Sequence, residues 1–284
     1  FMVINAILQA RKVLKQQRPD VVLAMGGYVT GPTGIAAKSL GIPLVIHEQN
    51  AVAGMSNKWL AKFANRVLAA FPSAFASGKA ELVGNPVRQS VVDIPKREIS
   101  SPINMLVVGG SLGAQVLNQT LPEAFKRLND TCAINVWHQT GKGHFASVSE
   151  SYQQQQMGDE QVTVAEFIDD MDTAYGWADI VICRAGALTV SEIAAAGKMA
   201  VFVPFPHAVD DHQTANAQYL VMAEGALLMP QGQFNQRSIV ELLSPYLAEP
   251  LLITKMAAKA KQQAILDATA SVAMHCEQVT NKRI

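Results

Sequence analysis

The chain has 284 residues, 49% of them apolar and 16% charged, with Lys+Arg and Asp+Glu both at 23. That length supports one large or two medium α/β domains with proper cores, and a balanced charge gives no global pull toward nucleic acid. The three scattered cysteines (Cys132, Cys183, Cys276) suit a reduced compartment, and no apolar run is long enough to span a bilayer.

The chain opens inside a helical pattern. Val3, Ile7, Ala10 and Leu14 fall on one arc, the expected core face. Phe1, Ile4 and Leu8 fall on a second arc that continues with Arg11, Lys12, Lys15 and Arg18. An apolar patch running into a basic one suits an anionic membrane surface; packing against further N-terminal residues explains it equally well.

A strand at Val21–Met25 then leads through Gly26-Gly27-Tyr28-Val29-Thr30-Gly31-Pro32 into a helix expected over Thr33–Leu40. The next strand, Pro43–His47, ends on His47-Glu48-Gln49-Asn50, where open α/β sheets place ligand-contacting groups. A histidine or carboxylate there is a candidate general base; a polar loop before a helix at Ser56–Phe63 is the other reading. Tyr28 is either a phenolic hydrogen-bonder or a plain loop residue. A further strand is expected at Arg66–Ala69.

The segment VGNPVR (Val83–Arg88) and the loose polar stretch Asp93–Pro102 interrupt this pattern and mark a domain boundary. Beyond it, strands are expected at Ile103–Val108, Ile134–His138, Gln161–Val164, Ile180–Cys183, Ala200–Val203 and Ala226–Leu228. Strands alternating with helices predict parallel doubly wound sheets. The expected division is 1–88, 89–265 and a C-terminal helix over 266–284 that packs back on the first domain.

Three turns in this half suit phosphates or a base. Gly109-Gly110-Ser111-Leu112-Gly113-Ala114 opens a helix, and its amides with Ser111 suit a phosphate. It lacks the acidic partner of a dinucleotide fingerprint. Glu166–Met171 follows a strand, with Ile168 apolar and Asp169 or Asp170 as helix N-cap. The turn Arg184-Ala185-Gly186 feeds a helix from about Ala187, so first-turn N–H groups and the helix dipole point at one spot, a natural seat for a diphosphate. Glu192 one turn in would suit ribose hydroxyls, Gln213 and Asn216 a sugar ring, and Arg88 a diphosphate. No HExxH, GxSxG or GxxxxGK[ST] motif occurs, which disfavours zinc, α/β-hydrolase and P-loop chemistry.

In order, the blocks MGGYVTGP, HEQNAVAG, VGNPVR, GGSLGAQVLN, EFIDDM, CRAGALTVSE and the stretch Asp211–Ala217 resemble the MurG family, glycosyltransferase family 28. These are UDP-N-acetylglucosamine:lipid-linked muramyl-pentapeptide N-acetylglucosaminyltransferases of bacterial cell-wall synthesis. The resemblance implies a GT-B type α/β fold, two Rossmann-like doubly wound domains around a cleft, and inverting transfer without metal or other cofactor. It implies that the amides of Ala187, Leu188 and Thr189 meet the donor diphosphate and Glu192 the ribose, with Val190 and Ser191 also in the substrate-binding stretch. Arg88 and Ser111 would also meet phosphates, Ile168 the uracil, and Gln213 and Asn216 the GlcNAc hydroxyls. Asn50 would reach the donor sugar, with His47, Glu48 and Tyr28 as catalytic candidates on the acceptor side.

The implied partners are UDP-GlcNAc, the lipid-linked acceptor, an anionic membrane surface and other cell-wall synthesis or division proteins, at the cytoplasmic face of the inner membrane. A non-transferring UDP-GlcNAc enzyme of similar fold, such as a 2-epimerase, and an inactive scaffold are the rival readings. Nothing like the family's opening GGTGGH-type loop is present, so an N-terminal segment is expected to precede Phe1 in the full enzyme. The expectation for these residues is a retained donor site with poor transfer.

Overall fold

The structure, a computed structural model, describes residues 2–75, 78–206 and 208–280. It divides into two compact units, Phe1–Val87 with Ile265–Ile284, and Arg88–Ala264.

The first unit runs α1 (Met2–Gln17), β1 (Val22–Ala24), α2 (Thr30–Ser39), β2 (Leu44–Glu48), α3 (Met55–Leu60), β3 (Arg66–Ala69) and β4 (Glu81–Leu82). Its four strands are parallel and lie in chain order. Helix α2 starts at Thr30 rather than Thr33, because Pro32 falls in the first turn, where a missing N–H costs nothing. The short edge strand β4 was not expected: two exposed residues carry no hydrophobic alternation. Leu14, with Ile7 and Ala10, packs on Ala36, Ala37 and Ile42, so most of the expected core arc of α1 is inward. Val3 is the exception, exposed with Ile4 and Leu8. Phe1 and residues 281–284 lie outside the described residues.

The second unit contains α4 (Gln89–Val92), β5 (Ile103–Val108), α5 (Gln115–Asn129), β6 (Ile134–Gln139), α6 (Phe145–Gln154), β7 (Val162–Ala165), α7 (Met171–Trp177), β8 (Ile180–Cys183), α8 (Ala187–Ala196), β9 (Met199–Phe202), α9 (His212–Val221), β10 (Ala226–Leu228), α10 (Gln236–Ala248) and α11 (Pro250–Gln262). Helix α12 (Ala268–Thr280) belongs to the first unit, where Val272 and Val279 pack on Val45, Leu68 and Val83.

The second sheet is parallel throughout, in the order β10-β9-β8-β5-β6-β7. Counted from β5, this is the 3-2-1-4-5-6 arrangement of doubly wound folds, whose order reverses between β5 and β8. Every residue of β8 and β9 is buried, as strands covered on both faces require. Met105, Val107, Ile182 and Val201 join Phe125 and Leu243 in one core, each buried side chain contributing about 1.5–3 kcal/mol.

Candidate functional site

Register puts the ends of β5, β6, β7 and β8 at one level, with Val108 opposite both Gln139 and Cys183, and Gln139 opposite Ala165. Gly109, Thr140, Arg184 and Glu166 therefore leave the sheet together, at the point where strand order reverses. A cavity of ≈ 940 Å³ opens there, lined by Gly109–Gly113, Arg184, Gly186, Thr189, Gln213 and Gln231 among others.

The glycine loop is held by a close backbone approach. Gly113 and Gly141 both have positive φ, and a Cβ on Gly113 would sit 2.1 Å from the Thr140 carbonyl oxygen. Any side chain would force the two loops apart. Gln139 Nε2 donates to the Gly110 carbonyl at 3.0 Å and to the Glu166 carbonyl at 2.7 Å, while its Oε1 accepts from the Gly110 N–H at 3.1 Å. One buried carboxamide thus ties the glycine loop to the loop bearing Ile168. Behind it, His138 bridges Tyr152 and Asn118 at 2.9 and 3.0 Å, and Asn118 donates to the Thr140 carbonyl. Burial pushes the His138 imidazole down to about 3, so it is neutral. Neither Gln139 nor His138 was singled out from sequence; a strand ending in two polar residues was the available signal.

Helix α8 begins at Gly186, which provides no side-chain cap, and its first intrahelical bond runs from the Val190 N–H to the Gly186 carbonyl at 2.9 Å. The N–H groups of Ala187, Leu188 and Thr189 precede that bond and form the helix's positive end. Val190 departs from expectation: its side chain is buried in the core and its N–H is used within the helix. Ser191 turns its hydroxyl back to the Ala187 carbonyl at 3.0 Å.

Glu192 is the centre of a small polar group. Tyr175 donates its hydroxyl to Glu192 Oε2 at 3.1 Å, and Arg88 lies 3.9 Å from Oε1. Burial raises the Glu192 carboxyl, against the opposing pull of Tyr175 and Arg88. Arg88 and Glu192, expected at the diphosphate and at the ribose, are therefore neighbours. Tyr175, buried in α7, was not visible as a site residue from sequence. The Asp170 side chain caps α7, accepting from the Thr173 N–H at 3.2 Å, which orients the loop carrying part-buried Ile168.

Arg184 was read only as a turn residue. Its guanidinium donates to the carbonyls of Val203 and Pro204 and to Gln231, and stacks over Phe205 at 5.5 Å. Ser111 is exposed on the glycine loop. Gln213 lines the cavity, its Oε1 accepting from the Phe205 N–H at 2.9 Å. Asn216 differs from expectation: it is fully buried and donates to the Ala185 carbonyl at 3.2 Å, so it holds the turn before α8 from within.

In the first unit, register brings the ends of β1 and β2 together. Tyr28 stands 98% exposed. His47 is fully buried, its Nε2–H donating to the Gly84 carbonyl at 2.8 Å, and burial lowers its pKa. Glu48 accepts from the N–H groups of Asn50 and Gly54 and from Asn57 Nδ2. These two candidates for the general base are corrected to positioning residues in this conformation: the imidazole has no surface and the carboxylate's lone pairs are occupied. Asn50, part-buried, also directs Nδ2 to Glu48 at 3.3 Å.

Two parallel α/β units, the second with a glycine loop and an uncapped helix N-terminus on one cavity, define a GT-B type protein. The glycosyltransferase family 28 N-terminal domain matches residues 1–69, and the family's C-terminal domain matches residues 104–272. The chain is 83% identical to the UDP-N-acetylglucosamine--N-acetylmuramyl-(pentapeptide) pyrophosphoryl-undecaprenol N-acetylglucosamine transferase of Pseudoalteromonas translucida, covering 100% of this chain and 79% of that one. Its Psychromonas ingrahamii counterpart is 53% identical, with 98% and 78% covered. The crystal structure of Acinetobacter baumannii MurG superposes with a TM-score of 0.86 at 40% identity, covering 97% of this chain and 78% of that one. The S. aureus MnaA–UDP co-structure, at TM-score 0.70 and 14% identity, shares the fold alone. The chain belongs to glycosyltransferase family 28.

Proposed function

We propose that this protein moves N-acetylglucosamine from UDP-N-acetylglucosamine to the C4 hydroxyl of the lipid-linked N-acetylmuramyl-pentapeptide, with inversion at the anomeric carbon. The observation that carries the reading is the positive end of α8 at the switch-point cavity, with Glu192 one turn behind it. Its family membership gives the donor and acceptor, which are those of relatives up to 83% identical.

As the acceptor hydroxyl attacks, its proton passes to a base on the acceptor side or to water, the bond from the anomeric carbon to UDP breaks, and the electron pair leaves with the diphosphate. The α8 amides, the glycine-loop amides with Ser111, and Arg88 stabilise that growing charge without reorganising. Glu192 accepts from the ribose hydroxyls, and Ile168 with its loop packs the uracil. Gln213 meets the donor sugar, with Asn216 acting through the turn it supports. On the acceptor side, Tyr28 is open to substrate, while His47 and Glu48 hold the loop that carries Asn50.

We place the enzyme peripherally at the cytoplasmic face of the bacterial inner membrane. The support is the exposure of Ile4 and Leu8 beside Lys12 and Lys15 on α1, with exposed Arg18 just beyond its end.

The deciding experiment incubates the chain with labelled UDP-GlcNAc, with and without lipid acceptor. Acceptor-dependent UDP release with label in the lipid is expected. Epimerised sugar, or donor binding with no UDP release, would overturn transfer.

A further inference from the structure

A second cavity, of ≈ 380 Å³, lies in the Arg88–Ala264 unit, at the edge of the sheet opposite the donor site. Asp179 and Lys198, which immediately precede β8 and β9, line it, whereas the donor cavity opens beyond the far ends of the same strands. The four residues of β8 separate the two by roughly 13 Å, and they share no lining residue. Open α/β sheets seat their ligands at the other edge, so the proposed transfer leaves this cavity unused.

Besides the turns that carry Asp179 and Lys198, two stretches of chain wall it. One is the segment after α4, with Ile94, Pro95 and Ile99; the other is the last turns of α11, with Ala257 and Ala258. The lining is mostly apolar, and the volume falls at the lower end of small-molecule pockets.

Charge then selects the ligand. Lys96, Arg97, Lys198 and Lys261 line the cavity against a single carboxylate, Asp179. Asp179 Oδ2 accepts from the Asn104 N–H at 2.9 Å, and Oδ1 faces Arg97 Nε at 3.5 Å. The two inner lysines are bound to carbonyls. Lys198 Nζ donates to Ala178 at 2.9 Å and Gly176 at 3.5 Å, at the end of α7; Lys261 Nζ donates to Ala195, at the end of α8. Each helix end offsets about half a charge; burial lowers the Lys261 pKa, and the nearby Asp93 carboxylate opposes that fall. The balance leaves an excess of about one positive charge beside an apolar hollow. Burial draws the Lys198 ammonium down to about 8, with Asp179 opposing that fall and Arg97 adding to it.

We propose that this cavity is a binding site for a small amphipathic monoanion, an aliphatic chain ending in a carboxylate. The chain fills the hollow between Ile94, Ile99 and Ala257, and the carboxylate lies among Lys96, Lys198 and Lys261. The assignment does not depend on the transfer reaction, and its test needs no turnover.

Decanoate is the probe, titrated into the intact chain below its micelle concentration, with backbone amide NMR and calorimetry as readouts. Saturable one-to-one binding is expected, with shifts at Ala178, Ala257 and Ala258 and none at Gly109–Gly113. Affinity should fall about tenfold for each two methylenes removed. Decylamine should bind at least tenfold more weakly than decanoate. Ala257→Phe, which fills the hollow, should abolish binding. Should that variant not fold, Lys96→Glu decides, because Lys96 is exposed; it should weaken decanoate at least threefold at unchanged thermal stability. No saturable binding, equal binding of decylamine, or shifts confined to the glycine loop would each overturn the proposal.

Discussion

Gln139 and Gly110 exchange two hydrogen bonds: the carboxamide accepts from the glycine N–H at 3.1 Å and donates to its carbonyl at 3.0 Å. The side chain mimics a neighbouring strand, extending sheet-like pairing into the glycine loop. Replacing it with leucine leaves both backbone groups unpaired, at roughly 1–3 kcal/mol for each one kept from water. Gln139→Leu should raise the KM for UDP-GlcNAc at least tenfold and lower Tm by several degrees. A donor KM within twofold of wild type would show that the loop holds its shape without this clamp.

Tyr175→Phe removes the hydroxyl that donates to Glu192 while keeping the ring in the core. A hydrogen bond to a charged group contributes about 1.5–3 kcal/mol, so UDP should bind at least tenfold more weakly. The pH dependence has a definite sign. Burial already raises the Glu192 carboxyl, and Tyr175 opposes that rise. Without the hydroxyl the carboxyl protonates at a higher pH, and affinity should begin to fall earlier as pH decreases. A UDP-binding profile unshifted along the pH axis would contradict the role given to Glu192.

Stability should carry a histidine signature. His138 is neutral in the folded protein down to about pH 3, whereas an unfolded histidine takes up a proton near 6.5. The unfolded state therefore binds more protons between those values, and stability drops by about 1.4 kcal/mol per pH unit as pH falls below 6.5. Buried His47, also shifted downward, adds in the same direction. Urea unfolding at pH 7 and pH 5 should show a smaller loss for His138→Gln than for wild type. Equal losses would remove His138 as the cause.

Glu48→Gln separates a structural carboxylate from a catalytic one. Its oxygens accept from two backbone N–H groups and from the side chains of Asn50 and Asn57. An amide there turns one acceptor into a donor facing donors. The expected result is a loss of roughly 1–3 kcal/mol in stability, with a higher acceptor KM and a smaller change in kcat. A fall in kcat of a thousandfold at full stability would instead mark Glu48 as the base.

The membrane proposal predicts that vesicles of anionic lipid bind the chain and neutral vesicles do not. Ile4→Glu and raised ionic strength should each weaken that binding at least fivefold, since exposed charges are screened over about 10 Å at 0.1 M salt. Binding that ignores both changes would assign the α1 face to protein packing instead.

Much of the fold was legible because buried parallel strands read as continuous apolar runs. Ile180–Cys183 and Ile103–Val108 coincide with their expected bounds. The Asp170 cap was equally legible, since capping needs only a short polar side chain at the right offset. The Glu81–Leu82 strand was not, because an edge strand of two exposed residues is recruited by its neighbour rather than by its own pattern. Helix α4 falls in the same class, a single turn too short to show a helical repeat.

By itself the sequence determined where the glycine-rich turns and polar strand ends fall, since glycines, small residues and polar clusters are properties of local backbone and composition. It also determined the family, through ordered blocks that few other folds would need together. Tertiary structure alone decided which of those side chains have access to a ligand. Val190, Asn216 and His47 sit within the right motifs yet point into the protein, because helix phase and strand register set side-chain direction, and both are fixed by packing. The same packing brought Arg88 beside Glu192 and placed Tyr175 behind it. Those contacts join residues far apart in the chain, and no local pattern encodes them.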